Sequence, residues 1–108
     1  MARFCPLFSG SSGNSIYIGN NDGGILVDTG MSAKKIGEAL FNIGVAPESL
    51  NAVFVTHEHS DHIKGLRVFA SKYHIKVYGT NGTLSALDDM GILNGKFETE
   101  EVSFSGNE

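Results

Sequence analysis

The sequence predicts an α/β fold, a mixed sheet with flanking helices. Two observations carry this: an opening run of strands joined by a tight hairpin, and a later alternation of helix and strand patterns. The inferred order is two or three antiparallel strands, then helix, strand, helix, strand, helix, strand. A third observation directs attention to function. Thr56-His57-Glu58-His59-Ser60-Asp61-His62 packs three histidines and an aspartate into six residues.

The elements follow from local pattern. Phe4 to Phe8 is short and apolar with Pro6 inside, which suits an edge strand. Ser9 to Ser15 is a loop of small residues, and Ser15-Ile16-Tyr17-Ile18 alternates as a half-buried strand should. Asn20-Asn21-Asp22-Gly23-Gly24 predicts a hairpin turn, because these residues tolerate positive φ. The returning strand, Ile25-Leu26-Val27, ends at Asp28-Thr29-Gly30.

Ser32 is the expected N-cap of a helix whose apolar stripe is Ile36, Leu40 and Ile43, with Gly44 ending it. Ala52 to Val55 reads as a strand covered on both faces. A helix is expected from about Asp61 to Tyr73, capped by Ser60, with Ile63, Leu66, Phe69, Ala70 and Tyr73 inward. Ile75 to Tyr78 alternates again as a strand. Thr83 to Met90 reads as a helix with Leu84, Leu87 and Met90 inward, and Val102-Ser103-Phe104 as a last strand.

The 108 residues fit one small domain or a piece of a larger one. With 41% apolar and 19% charged residues, the composition is that of a globular chain. The net charge of −4 is concentrated late, where Lys96 stands against Asp88, Asp89, Glu98, Glu100, Glu101 and Glu108. Charge alone offers no basic stripe of the kind that grips a phosphate backbone. No apolar run is long enough to span a bilayer, and the opening residues show no signal-peptide pattern. A single cysteine, Cys5, cannot form an internal disulfide, and a cytoplasmic location is the expectation. Cys5 is expected to be a small buried apolar residue, and His74 a surface residue.

Residues 57–62 carry the chemistry. Neutral imidazole is the commonest protein donor to metals, and residues two apart in extended chain point to the same side. His57 and His59 can therefore chelate one ion, while Asp61 and His62, turned relative to them, are placed for a second. Four donors so close together are hard to explain by packing, since each would need its own buried partner. Two ions about 3.5–4 Å apart form a clamp used in many hydrolytic sites.

The pattern H-x-H-x-D-H resembles the signature of the metallo-β-lactamase fold superfamily. Asp28, at the end of Ile25-Leu26-Val27, resembles that superfamily's strand-end aspartate, which supports the histidine loop from behind without binding metal. The bland alternative is a turn-forming aspartate before glycine. Ser9-Gly10-Ser11-Ser12-Gly13-Asn14-Ser15 with Thr56 to Gly65 is similar to the YycJ (WalJ)-type branch, described as metal-dependent hydrolases with DNA exonuclease activity. Successive N–H groups at Ser11, Ser12, Gly13 and Asn14 could cradle a phosphate, or the loop could be only a turn.

The resemblance implies an αββα sandwich of two similar halves, with residues 1–108 as the N-terminal part of that single domain. Its members complete the two sites with a histidine, a bridging aspartate and a further histidine downstream. After His62 this chain offers only His74, Asp88 and Asp89, and none matches. The expected function of a full-length protein is phosphodiester hydrolysis, as a DNA exonuclease, by hydroxide activated between two metals. Zinc is the default and manganese the alternative. Asp61 is both a ligand and the candidate proton acceptor. A thioester or lactone hydrolase of glyoxalase II type would use the same metals. The 108 residues alone are expected to be an inactive, self-associating half-domain that binds metal weakly or not at all.

Overall fold

The computed structural model describes residues 3–9, 13–20, 22–56, 63–93 and 95–102. Its strands are β1 (Arg3–Phe8), β2 (Ser15–Asn20), β3 (Gly23–Val27), β4 (Leu50–Phe54), β5 (Lys76–Gly79) and β6 (Thr99–Glu101). Its helices are α1 (Ala33–Asn42), α2 (Leu66–Tyr73) and α3 (Asn81–Asp89), with a 3-10 turn at Pro47–Ser49. The strands form one sheet in chain order. β1, β2 and β3 are antiparallel neighbours, and β3, β4, β5 and β6 are parallel. Here α1, α2 and α3 make the crossovers that parallel pairing demands. The α/β class and the mixed sheet with flanking helices are as expected.

Local chemistry accounts for the elements. Asn20 Oδ1 accepts the N–H of Asp22 at 2.8 Å, which tightens the hairpin between β2 and β3. Ser32 caps α1, its Oγ accepting the Lys35 N–H at 3.3 Å. Gly44, at φ 78°, turns the chain out of that helix. Thr80 caps α3 in the same way through the Thr83 N–H.

The register sets Tyr17, Leu26, Val53 and Val77 side by side on one face of the sheet. All are buried, in one cluster with Ile36 and Leu40 of α1, Leu66, Phe69 and Ala70 of α2, and Leu87 of α3. The opposite face carries Ile16, Ile18, Ile25, Val27, Phe54 and Tyr78, each half-buried. Phe54 and Tyr78 stack there, centroids 4.9 Å apart and planes at 14°. This second face lies outside the core cluster, so the fold is a sheet with one packed helical layer and one further apolar surface. No helix among the described residues is long and apolar enough to cross a membrane.

Five expectations need correction. β4 is covered fully on one face only, since Phe54 is half-buried between Val53 and Val55. The helix expected from about Asp61 is interrupted: Ile63 is helical, Lys64 and Gly65 form a turn bonded to the β3–α1 connection, and α2 runs from Leu66, while Asp61 and His62 lie outside the described residues. The proposed Ser60 cap lies outside the described residues. Met90 is 53% exposed, because Gly91 at φ 75° reverses the chain and Ile92 turns back, bonded to the Leu87 carbonyl. The last described strand is Thr99–Glu101 and not Val102 onward, whose Ser103 and Phe104 are outside the described residues. Cys5 is only half-buried, because β1 is the sheet edge, although its side chain packs against the core. His74, exposed and at φ 53°, ends α2 at the surface as expected.

β6 is an edge strand made of charged and polar residues, a usual defence of sheet edges. Glu100 pairs with Lys76 on β5 at 2.5 Å. That hydrogen bond, with the carboxylate's charge, holds the Lys76 ammonium above the ordinary lysine value of 10.5.

The core and the surface should respond differently to substitution. Leu26→Ala, at a fully buried position, should cost about 2–5 kcal/mol in urea unfolding. Phe41→Ser, at a side chain 80% exposed, should stay within about 0.5 kcal/mol. Equal losses would mean that the helical layer is not packed as described.

Candidate metal centre

The C-terminal ends of parallel strands collect functional groups, because the connections leaving them are free to vary. At the end of β3, Asp28 takes φ 67°, a left-handed conformation that aspartate tolerates better than most residues. Its N–H donates to the Phe54 carbonyl at 2.7 Å, prolonging the β3–β4 ladder by one rung. The carboxylate then reaches the residue just past β4. The Thr56 N–H donates to Oδ1 at 2.8 Å and the Thr56 hydroxyl donates to Oδ2 at 2.6 Å. Asp28 is 5% exposed, and the charge of its carboxylate strengthens both bonds, which are part-buried.

The same turn fastens two more segments. The Gly30 N–H donates to the Asn14 carbonyl at 2.8 Å, which ties down the serine–glycine loop where it enters β2. The Gly65 N–H donates to the Thr29 carbonyl at 2.8 Å. Asp28, Thr29 and Gly30 therefore hold Thr56, Gly65 and Asn14 in turn. Gly13, at φ 154°, is buried against Met31; a Cβ there would meet its Sδ at 2.4 Å. Ser15 Oγ and Thr29 Oγ1, both fully buried at this end of the sheet, have no hydrogen-bond partner among the described residues.

Of the residues named from the sequence, Asp28, Gly13 and Asn14 are brought to one end of the sheet. Ser11, Ser12, His57, His59, Asp61 and His62 lie outside the described residues. Among the described residues no group of three histidines, cysteines, aspartates or glutamates could hold a metal ion. Sequence reasoning did not find Thr29, Met31 or the part played by Gly65. A backbone carbonyl acting as an anchor leaves no signal in residue type.

The donor set fits divalent metal. His57, His59, His62 and Asp61 offer three imidazoles and a carboxylate, the ligand types zinc prefers. The residues just outside that stretch, Thr56 and Gly65, are both held by a single turn.

Asp28→Ala removes both acceptors of Thr56 and puts alanine in a left-handed conformation, which should cost about 1–3 kcal/mol. Asp28→Asn keeps one acceptor and tolerates the backbone, so it should cost less. Urea midpoints check the order; an alanine variant as stable as the wild type would remove the carboxylate from its anchoring role.

Residues 9–89 match the family model described as the metallo-beta-lactamase superfamily. Over 99 residues the chain is 42% identical to exodeoxyribonuclease WalJ of Streptococcus pneumoniae, covering 92% of this chain and 36% of that protein. It is 44% identical over 89 residues to exodeoxyribonuclease YycJ of Bacillus anthracis, covering 82% and 33%. The chain thus spans about a third of the length of these curated relatives. A crystal structure of a diphosphatase from the PhnP family superposes with a TM-score of 0.73 at 19% identity, covering 96% of this chain and 51% of that one. With the family model matched from the serine–glycine loop through α3, the chain belongs to the metallo-β-lactamase superfamily.

Proposed function

We propose that the protein is a metal-dependent phosphodiesterase acting on DNA as an exonuclease, of which residues 1–108 form the N-terminal part of the catalytic domain. One observation carries this reading: 42% identity over 99 residues to a protein named exodeoxyribonuclease WalJ. His57 and His59 would hold one divalent ion, and Asp61 and His62 a second, with zinc the first choice and manganese the alternative. Such ions, when bound, bring the pKa of a bound water near 7 and offset charge on phosphoryl oxygens.

The chain's own residues then have distinct tasks. Asp28 fixes Thr56, the residue next to His57, and so orients the first ligands without binding metal itself. Asp61 is the candidate proton acceptor. Backbone N–H groups of Ser11, Ser12, Gly13 and Asn14 would contact a substrate phosphate, and the Gly30–Asn14 bond supports that loop.

The full-length gene product tests this. It should digest a labelled DNA duplex from its ends, lose activity to a chelator, and recover it with zinc or manganese. His59→Ala or Asp61→Asn should lower the rate at least roughly 100-fold, the scale on which positioned catalytic groups act. Activity on a thioester and none on DNA would replace this reading with hydrolysis of the glyoxalase II type.

Residues 1–108 alone should be inactive and should self-associate through the Ile16, Ile18, Ile25, Val27, Phe54 and Tyr78 face. Apolar surfaces of that extent mark interaction sites. Sedimentation at low concentration checks this, and a compact monomer would sink it.

A further inference from the structure

The histidine stretch stands on two feet. Upstream, Thr56 is bonded to the Asp28 carboxylate. Downstream, Gly65 lies three residues past His62, is buried, and donates its N–H to the Thr29 carbonyl at 2.8 Å. Both feet rest on adjacent residues of one turn. We propose that Gly65 is a positioning residue for the metal centre, its bare Cα setting where the downstream foot of the histidine stretch is planted. This deepens the metal-hydrolase reading and rests on it.

Space, not conformation, demands glycine here. Gly65 has φ −98° and ψ 3°, which other residues can adopt. A Cβ at that position would lie 2.2 Å from the Met31 carbonyl oxygen, 2.9 Å from the Ala33 nitrogen and 3.1 Å from the Ser32 carbonyl carbon. All three are backbone atoms, so no side chain can rotate away. On that side the chain is already committed, because Ser32 caps α1 and Ile36 and Leu40 are fully buried.

The displacement that a side chain would force has one way to go. On the downstream side, the Gly65 carbonyl accepts the Phe69 N–H at 2.9 Å, and α2 is pinned by Leu66, Phe69 and Ala70, all fully buried. Close-packed interiors transmit such strain and do not absorb it locally. Lys64, exposed and in a turn, begins the upstream side, which leads directly to His62 and Asp61. A methyl group at residue 65 should therefore disturb ligand placement more than it disturbs the core.

Gly37 supplies the matched control: it sits within α1, and a Cβ there meets nothing within 4 Å. In the full-length gene product, zinc affinity is measured by titrating metal-free protein, and ligand geometry by the visible spectrum of its cobalt form. Gly65→Ala should weaken zinc binding roughly 10- to 100-fold and alter the cobalt spectrum, as loss of ligand support does, with the circular dichroism of a folded chain. Gly37→Ala should match the wild type in both. A Gly65→Ala protein with wild-type affinity and spectrum would overturn the inference, whatever its melting temperature. If Gly65→Ala does not fold, amide exchange on the wild type decides. Zinc should slow exchange at Gly65 together with Thr56, and an unchanged Gly65 would refute the role. A wild-type protein that binds neither metal would overturn the hydrolase reading itself, and the inference with it.

Discussion

The functional end of the molecule depends on one carboxylate facing the wrong way for a simple strand end. Were Asp28 to continue in extended conformation, its side chain would follow the alternation of β3. Its left-handed φ of 67° instead turns the carboxylate across to β4, where it takes both donors of Thr56. A buried carboxylate is costly unless its lone pairs are used, and here charge-assisted bonds use them. The same rotation directs the chain into Thr29-Gly30, whose backbone groups are then free to bond Gly65 and Asn14. One unusual dihedral thus converts a strand end into a hub for three segments.

That hub is only as firm as the sheet beneath it. The ladder runs past the ends of the strands, with Asp28 bonded to Phe54 and Val55 bonded to Tyr78 at 2.9 Å. Val53, the fourth residue of β4, is fully buried between Leu26 and Val77. The buried part of the sheet therefore leads directly into Thr56. Groups mounted on the ends of such strands inherit their precision, which loops alone do not supply.

Much of this could be read locally, and the rest could not for identifiable reasons. The β2–β3 hairpin, the Ser32 cap and the stripe of Ile36 and Leu40 declare themselves within a few residues. The start of α2 does not, because Gly65 is held by a carbonyl 36 positions earlier in the chain, and the helical pattern from Ile63 onward gives no sign of it. β6 is not legible, because Glu98 to Glu101 lack the apolar alternation of a strand; it is held by its pairing with β5. Met90 continued the apolar period of α3, yet Gly91 ends the helix just before that period could bury it. At the candidate centre, the type and spacing of residues 57–62 and the strand-end Asp28 were visible. The bonds that link Asp28 to Thr56 and Thr29 to Gly65 were not, since they join residues far apart in sequence and partly through backbone atoms.

Two anchors make physical sense for a stretch that we propose holds the metal. Fixing six residues in one conformation costs on the order of 6–12 kcal/mol of backbone entropy. If metal binding had to supply all of it, affinity would fall by the same amount, because ordering coupled to binding subtracts directly from binding free energy. Holding Thr56 and Gly65 during folding moves part of that cost to the core, where burial of residues such as Phe69 and Val53 offsets it. A tenfold change in affinity corresponds to about 1.4 kcal/mol. Loss of one anchor needs to return only a fraction of the ordering cost to the binding step to weaken the metal by one or two orders of magnitude.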